Sequence, residues 1–116
     1  MHKIDWAESG PLANWQKAVL AFARKTREAL GDRVVHIILY GSRARGDYTD
    51  DSDIDVLIVV RGISKEEAEE RLSWLAWEVL EEYEELLAEF VVTENEYEPD
   101  RERAFFINVK EEGVTV

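Results

Sequence analysis

The sequence predicts an α+β fold (α/β in some schemes), a small mixed β-sheet with helices packed on one face. Three observations lead there. Two apolar, β-branched runs, Val34–Tyr40 and Ile54–Val60, read as buried strands, and a third strand is expected at Ala88–Thr93. Two long segments, residues 12–30 and 65–87, repeat apolar residues at helical spacing and supply the layer that covers the sheet. The chain has 116 residues, the size of a single domain spanning 1–116, and its 46% apolar content with four tryptophans favours a packed core over disorder.

Taken in order, Ser9-Gly10-Pro11 is the expected helix start, since proline has no N–H to lose in a first turn. Leu12, Trp15, Val19, Phe22, Ala23, Thr26 and Leu30 form the inward stripe, and Gly31 stops the helix. His36 leads into the first strand, and a surface or hydrogen-bonded role suits it better than ligation. The link from Arg43 to Ser52 is polar and contains Gly46, with Asp47, Asp50 and Asp51 reading as a solvated turn. Ser64 and Glu67 form a capping-box pattern before the second long helix. Its stripe is Ala68, Leu72, Leu75, Ala76, Val79, Leu80, Tyr83, Leu86 and Leu87. Trp74 projects opposite that stripe, and Trp77 lies at its edge. In the third strand Glu89, Val91 and Thr93 share one face and Phe90 and Val92 the other. An acidic loop, Glu94 to Asp100 with Pro99, then leads to a helix over Arg101–Glu112. That helix turns Val109, Phe105 and either Ile107 or Phe106 inward, and Gly113 stops it. Val114-Thr115-Val116 is too short to assign.

Composition excludes several functions. There are no cysteines, hence no disulfide, thiolate metal site or thiol nucleophile, and His2 and His36 are too few and too far apart for a zinc site. No apolar run reaches the length of a membrane span, and the N-terminus lacks a signal peptide's apolar centre, so the expected location is cytoplasmic. A net charge of −12 repels a phosphate backbone and disfavours extended nucleic-acid contact.

Chemistry concentrates between Ile37 and Val60. Asp53 and Asp55 open the second strand, and residues two apart on a strand share a face. Two such carboxylates raise each other's pKa unless a cation lies between them. Mg²⁺ held together with a nucleotide's phosphates is the usual partner, because it takes one or two carboxylates and completes its shell with phosphate oxygens and water. Upstream, Gly41 permits a sharp turn and close approach to a ligand, and Ser42 adds a hydroxyl.

Gly41-Ser42, ten intervening residues and Asp53-Ile54-Asp55 together resemble the signature of the DNA polymerase β-like nucleotidyltransferases. The local forms Gly-Ser-Arg-Ala-Arg-Gly and Ser-Asp-Ile-Asp are similar to those of the minimal nucleotidyltransferases of prokaryotes. The resemblance implies that Gly41 and Ser42 bind the triphosphate and that Asp53 and Asp55 hold Mg²⁺, with Mn²⁺ as a substitute. It also implies a third carboxylate on a following strand, as metal ligand or general base. Glu89 is the candidate, with a salt bridge or an exposed strand end as an equal reading. Arg43 and Arg45 would pair with phosphate oxygens, Arg43 being preferred as the closer to the turn. Tyr48 could stack on a base.

The implied activity is transfer of AMP from ATP to a hydroxyl, with release of pyrophosphate. No further domain to hold an acceptor is expected within these 116 residues, which points to a partner protein. Minimal nucleotidyltransferases are often paired with a helical HEPN-domain toxin, and several act as its antitoxin by adenylylating it. The alternative is a binding module that neutralises such a toxin by docking alone, with a vestigial site. In either case the helix face bearing Trp74 is expected to dock a second chain, either another copy or the helical partner.

Overall fold

A seven-residue strand, β3 (Ile54–Val60), forms the middle of the molecule, and every residue in it except Asp55 is buried. The computed structural model describes residues 2–4, 6, 10–98 and 103–116. Around β3 the described residues form a five-stranded mixed sheet in the order β1-β5-β2-β3-β4. Its other strands are β1 (His2–Lys3), β2 (Val34–Tyr40), β4 (Leu87–Thr93) and β5 (Val114–Thr115). β2 runs antiparallel to β3, with Tyr40 opposite Asp55. β4 runs parallel to β3, and this pairing requires a crossover, which helix α3 (Lys65–Tyr83) provides. The C-terminal residues left unassigned by sequence become β5, paired antiparallel with β2 and parallel with β1.

The two long helices, α1 (Asn14–Leu30) and α3, cover one face of the sheet. Val19, Phe22, Leu72 and Val79 pack there against Ile37, Leu39, Val56, Ile58 and Val91. Each large side chain fully buried in this way contributes roughly 1.5–3 kcal/mol relative to exposure. The expected one-sided helix layer describes these two helices. The opposite face is also covered, by the short C-terminal helix α5 (Ala104–Glu112), which seats Phe106 and Val109 on Ile38, Leu57 and Val59. Of the two alternatives left open for this helix, Phe106 is inward with Val109 and Ile107 is exposed, and Phe105, expected inward, is also exposed because the helix turns Phe106 to the sheet in its place.

Several boundaries move for local reasons. α1 begins at Asn14 rather than at Pro11, because Asn14 Nδ2 donates to the Tyr83 carbonyl (2.7 Å) and to Glu85 (3.0 Å), fastening its start to the end of α3. Gly31 is the stop, as expected, at φ 57°. Ser64 caps α3 by accepting from the Glu67 N–H. That helix ends at Tyr83 because Glu84 turns left-handed (φ 57°). Leu87 therefore opens β4, and Leu86 is 61% exposed rather than part of the helical stripe. The expected acidic loop begins instead with a helical turn, α4 (Glu94–Tyr97), fixed by reciprocal hydrogen bonds between Thr93 and Glu96. Ser9, and Pro99 to Arg101 of the expected loop and last helix, lie outside the described residues. Among the described residues no helix is long and apolar enough to cross a membrane.

Candidate active site

Asp55 is the polar exception in β3, and it belongs to the face away from α1 and α3, the one that carries Leu57 and Val59. Asp53 precedes the strand and is exposed. Partial burial pushes the Asp55 carboxyl above the ordinary carboxylate range, and the charge of Asp53 pushes it further, while Arg45 works the other way. An unneutralised pair of this kind is a potential well for a cation.

Gly41 meets Asp55 directly. It stands at φ 76°, ψ −156°, and a Cβ there would run into the Asp55 carboxylate, 3.3 Å from its Cγ. Only glycine allows both the turn and the contact. From Gly41 the chain enters one helical turn, α2 (Ser42–Arg45), in place of the irregular link expected from Arg43 onward. Gly46 ends the turn in the left-handed conformation. Ser42 opens it, partly buried, and Arg45 closes it.

The two arginines have separate fates. Arg45 is exposed, donates to Asp47 (3.2 Å) and Glu112 (3.1 Å), and lies within electrostatic range of Asp55. Its pKa is raised chiefly by the Asp47 hydrogen bond. Arg43, the preferred phosphate ligand from sequence, is 7% exposed, and its guanidinium lies over the rings of Trp15 (5.0 Å) and Tyr48 (4.4 Å), which also meet each other edge to face. Nη2 donates to the Ser52 carbonyl at 3.0 Å. Arg43 therefore pins the 46–53 loop to α1, and the Tyr48 ring is committed to the same stack. Neither is presented to a ligand beside Asp55.

Glu89 is not brought together with the pair. The parallel register sets it level with Val56, on the face covered by α3, where it hydrogen-bonds Ser73. Burial raises its pKa, which that hydrogen bond partly offsets. The β4 residues on the Asp55 face are Ala88, level with Asp55, and Phe90, level with Leu57. No cluster of three or more His, Cys, Asp or Glu side chains among the described residues is arranged to hold a metal. The donor set thus fits one hard cation bound by two carboxylates and completed by ligand oxygens and water, not a three-carboxylate cage. Glu89→Gln is accordingly expected to leave Mg²⁺-dependent ATP binding unchanged by calorimetry. It should also raise the unfolding temperature slightly, because it removes a carboxylate that burial disfavours.

Tyr40 is the neighbour that strand spacing alone does not reveal. It lies opposite Asp55, and its phenol is pushed up to about 12 by burial and then by the Asp55 charge. It stays protonated at neutral pH, a hydrogen-bond donor and not a base. The antiparallel pairing across the Gly41 turn is the signal that finds it.

A model of the nucleotidyltransferase domain family matches residues 23–114. A candidate protein adenylyltransferase of Methanocaldococcus jannaschii, MJ0141, is 30% identical over 95 residues, covering 82% of this chain and 91% of that protein. A second from the same organism, MJ0604, is 50% identical over 46 residues, 40% of this chain and 46% of its own length, so the chain spans about half of that relative. The crystal structure of a candidate nucleotidyltransferase from Sulfolobus solfataricus superposes with a TM-score of 0.45 at 26% identity, over 91% of this chain and 88% of that one.

Proposed function

We propose, for a chain that belongs to the nucleotidyltransferase domain family, that it transfers AMP from ATP to a hydroxyl on a partner protein, in a Mg²⁺-dependent reaction. The observation that carries this reading is Asp55 packed against the Gly41 turn with the charge of Asp53 acting on it. Asp53 and Asp55 would hold the cation, and Mn²⁺ meets the same donor set. When bound, the ion supplies Lewis-acid polarisation of the phosphoryl oxygens. The Gly41 turn sets the backbone directly against the Asp55 carboxylate, so a phosphate held through the cation would lie near the Ser42 hydroxyl that follows the turn, with the positive charge of Arg45 within range of Asp55. Transfer is an in-line displacement. The acceptor oxygen bonds to the α-phosphorus as the bond to pyrophosphate breaks, and the hydroxyl proton passes to water. With alanine rather than a carboxylate at position 88, level with Asp55, the work falls on positioning and electrostatics. Calorimetry tests the reading, since ATP should bind with Mg²⁺ or Mn²⁺ and not without. Equally tight metal-free binding would sink it.

The resemblance names the partner, a helical HEPN-domain toxin, and the α3 surface supports docking of a separate chain. Trp74 and Trp77 are 63% and 52% exposed and meet edge to face at 6.1 Å. Glu70, Glu78 and Glu81 lie within a helical turn of them, so a second copy would set like charges against one another. A partner with a cationic rim suits this face better. Trp74→Glu is expected to leave the thermal unfolding curve in place and to abolish co-sedimentation with the partner. Unfolding many degrees lower would assign Trp74 to the core instead. The absence of Glu89 from the Asp55 face also favours a second reading, neutralisation by docking with slow turnover, which undiminished antitoxin action of an Asp53/Asp55 variant would establish.

A further inference from the structure

Beside Asp55, on the sheet face away from the long helices, three aromatic rings form a shelf. Tyr40 flanks the carboxylate from β2. Across β3, Ala88 carries only a methyl group level with Asp55, and Phe90 follows two residues further along the same strand. Strand spacing places Phe90 about 8 Å from Asp55, Cα to Cα. Helix α5 then brings Phe105 over the shelf, its ring 5.5 Å from Tyr40 and 5.7 Å from Phe90, both edge to face.

Packing does not account for these rings. The next residue, Phe106, fills the core beneath α5, whereas Phe105 is 38% exposed and Phe90 41%. Single exposed phenylalanines need no explanation, but a contiguous set opening onto a carboxylate pair is an arrangement of another kind. A ligand matching both parts is anionic at one end and a flat aromatic at the other.

We propose that Phe90 and Phe105, whose planes stand 76° apart, seat the nucleobase of the bound nucleotide in the corner between them, one ring stacked on its π-face and the other lying against its rim, with Tyr40 bridging from the shelf to the phosphate end. The proposal rests on the reading that Asp53 and Asp55 hold the phosphates through a cation. Ala88 has a purpose in it, since a larger side chain there would block the passage from carboxylate to shelf. Stacking takes hold of the face of a base and leaves its edge unread. Purines, with the larger face, are therefore favoured over pyrimidines, and ATP and GTP bind alike.

The test is calorimetry in Mg²⁺ with ATP, GTP and inorganic tripolyphosphate on the wild type, Phe90→Ala, Phe105→Leu and Phe105→Tyr. Leucine keeps apolar bulk under α5 and removes the ring, tyrosine keeps the ring, and Phe90→Ala probes the shelf from a different element. The wild type should bind ATP and GTP equally and more tightly than tripolyphosphate. Phe90→Ala and Phe105→Leu should each lose about tenfold for ATP and GTP, within the range of one lost base–aromatic stack. Their tripolyphosphate affinity should not change, and Phe105→Tyr should match the wild type. ATP binding no tighter than tripolyphosphate, or ATP affinity unmoved by both ring deletions, overturns the shelf and leaves the phosphate site standing. A wild type that binds neither ligand overturns both readings.

Discussion

Asp55→Asn is expected to raise the unfolding temperature of this protein while abolishing its Mg²⁺-dependent ATP binding. Both effects follow from one cause. Burial and Asp53 hold the folded Asp55 carboxyl above its ordinary value of 3.8. The group's contribution to stability is therefore fully present in acid, below the unfolded value, and is lost as pH rises through the raised folded value. At neutral pH the fold carries an anion that its surroundings disfavour, and asparagine removes the charge while keeping the shape. The wild type should gain stability on acidification across that window, and Asp55→Asn should lose the Asp55 share of that gain and keep only the smaller part contributed by Glu89. Calorimetric scans at neutral and mildly acidic pH measure this. Losing a direct cation ligand should cost at least about a hundredfold in affinity, beyond the roughly 10–100-fold typical when only an outer partner of a ligand is lost. Asp53→Asn should lose binding as severely with a smaller rise in unfolding temperature, because Asp53 is exposed. An Asp55→Asn protein that unfolds earlier and still binds ATP with Mg²⁺ would remove Asp55 from the site.

The strands and long helices were legible in the sequence because their signals are local and repeated. A run such as Ile54–Val60 broken by one aspartate has few structural readings, and the Asp-x-Asp spacing led to the expectation of two neighbouring carboxylates, although Asp53 stands just before the strand and only Asp55 lies in it. Which face Asp55 takes was not legible. Alternation places Glu89 relative to Phe90, but only the β3–β4 register decides whether Glu89 or Phe90 shares the side of Asp55. A one-residue difference in register exchanges the faces, and the sequence carries no local mark of it. Arg43 is placed other than expected for a related reason. Proximity in the chain to Gly41 suggested a phosphate ligand, whereas α2 directs its guanidinium back to Trp15, 28 positions earlier in the chain. The missed turns, α2 and α4, are one turn long and leave no periodicity to detect. Leu86 and Leu87 continued the helical stripe by coincidence, and a left-handed glutamate at 84 is not a signal that sequence rules anticipate.

Gly41→Ala should have the second large effect, and it connects stability with the site. At φ 76°, ψ −156° the backbone lies in a region that is essentially glycine-only, and an alanine there costs roughly 1–3 kcal/mol. For a domain of this size that lowers the unfolding temperature on the order of 10 °C. The added Cβ would also overlap the Asp55 carboxylate. The pair has to separate. Either Asp55 swings out of its place beside Asp53, or the turn lifts and takes α2 with it, since the Gly41 carbonyl accepts from the Ala44 and Arg45 N–H groups at 3.1 and 3.0 Å. Both routes disturb the phosphate end, and Mg²⁺-dependent ATP affinity should fall at least about tenfold, the scale of a disturbed metal ligand. Gly46→Ala separates the two contributions. Its φ of 91° also strains alanine, but nothing lies within 4 Å of the added Cβ. Gly46→Ala should therefore lower the unfolding temperature and leave ATP binding intact, whereas Gly41→Ala loses both. If the two variants bind ATP equally well, the contact between Gly41 and Asp55 is a matter of packing alone, and the phosphate end of the site lies elsewhere on the Asp55 face.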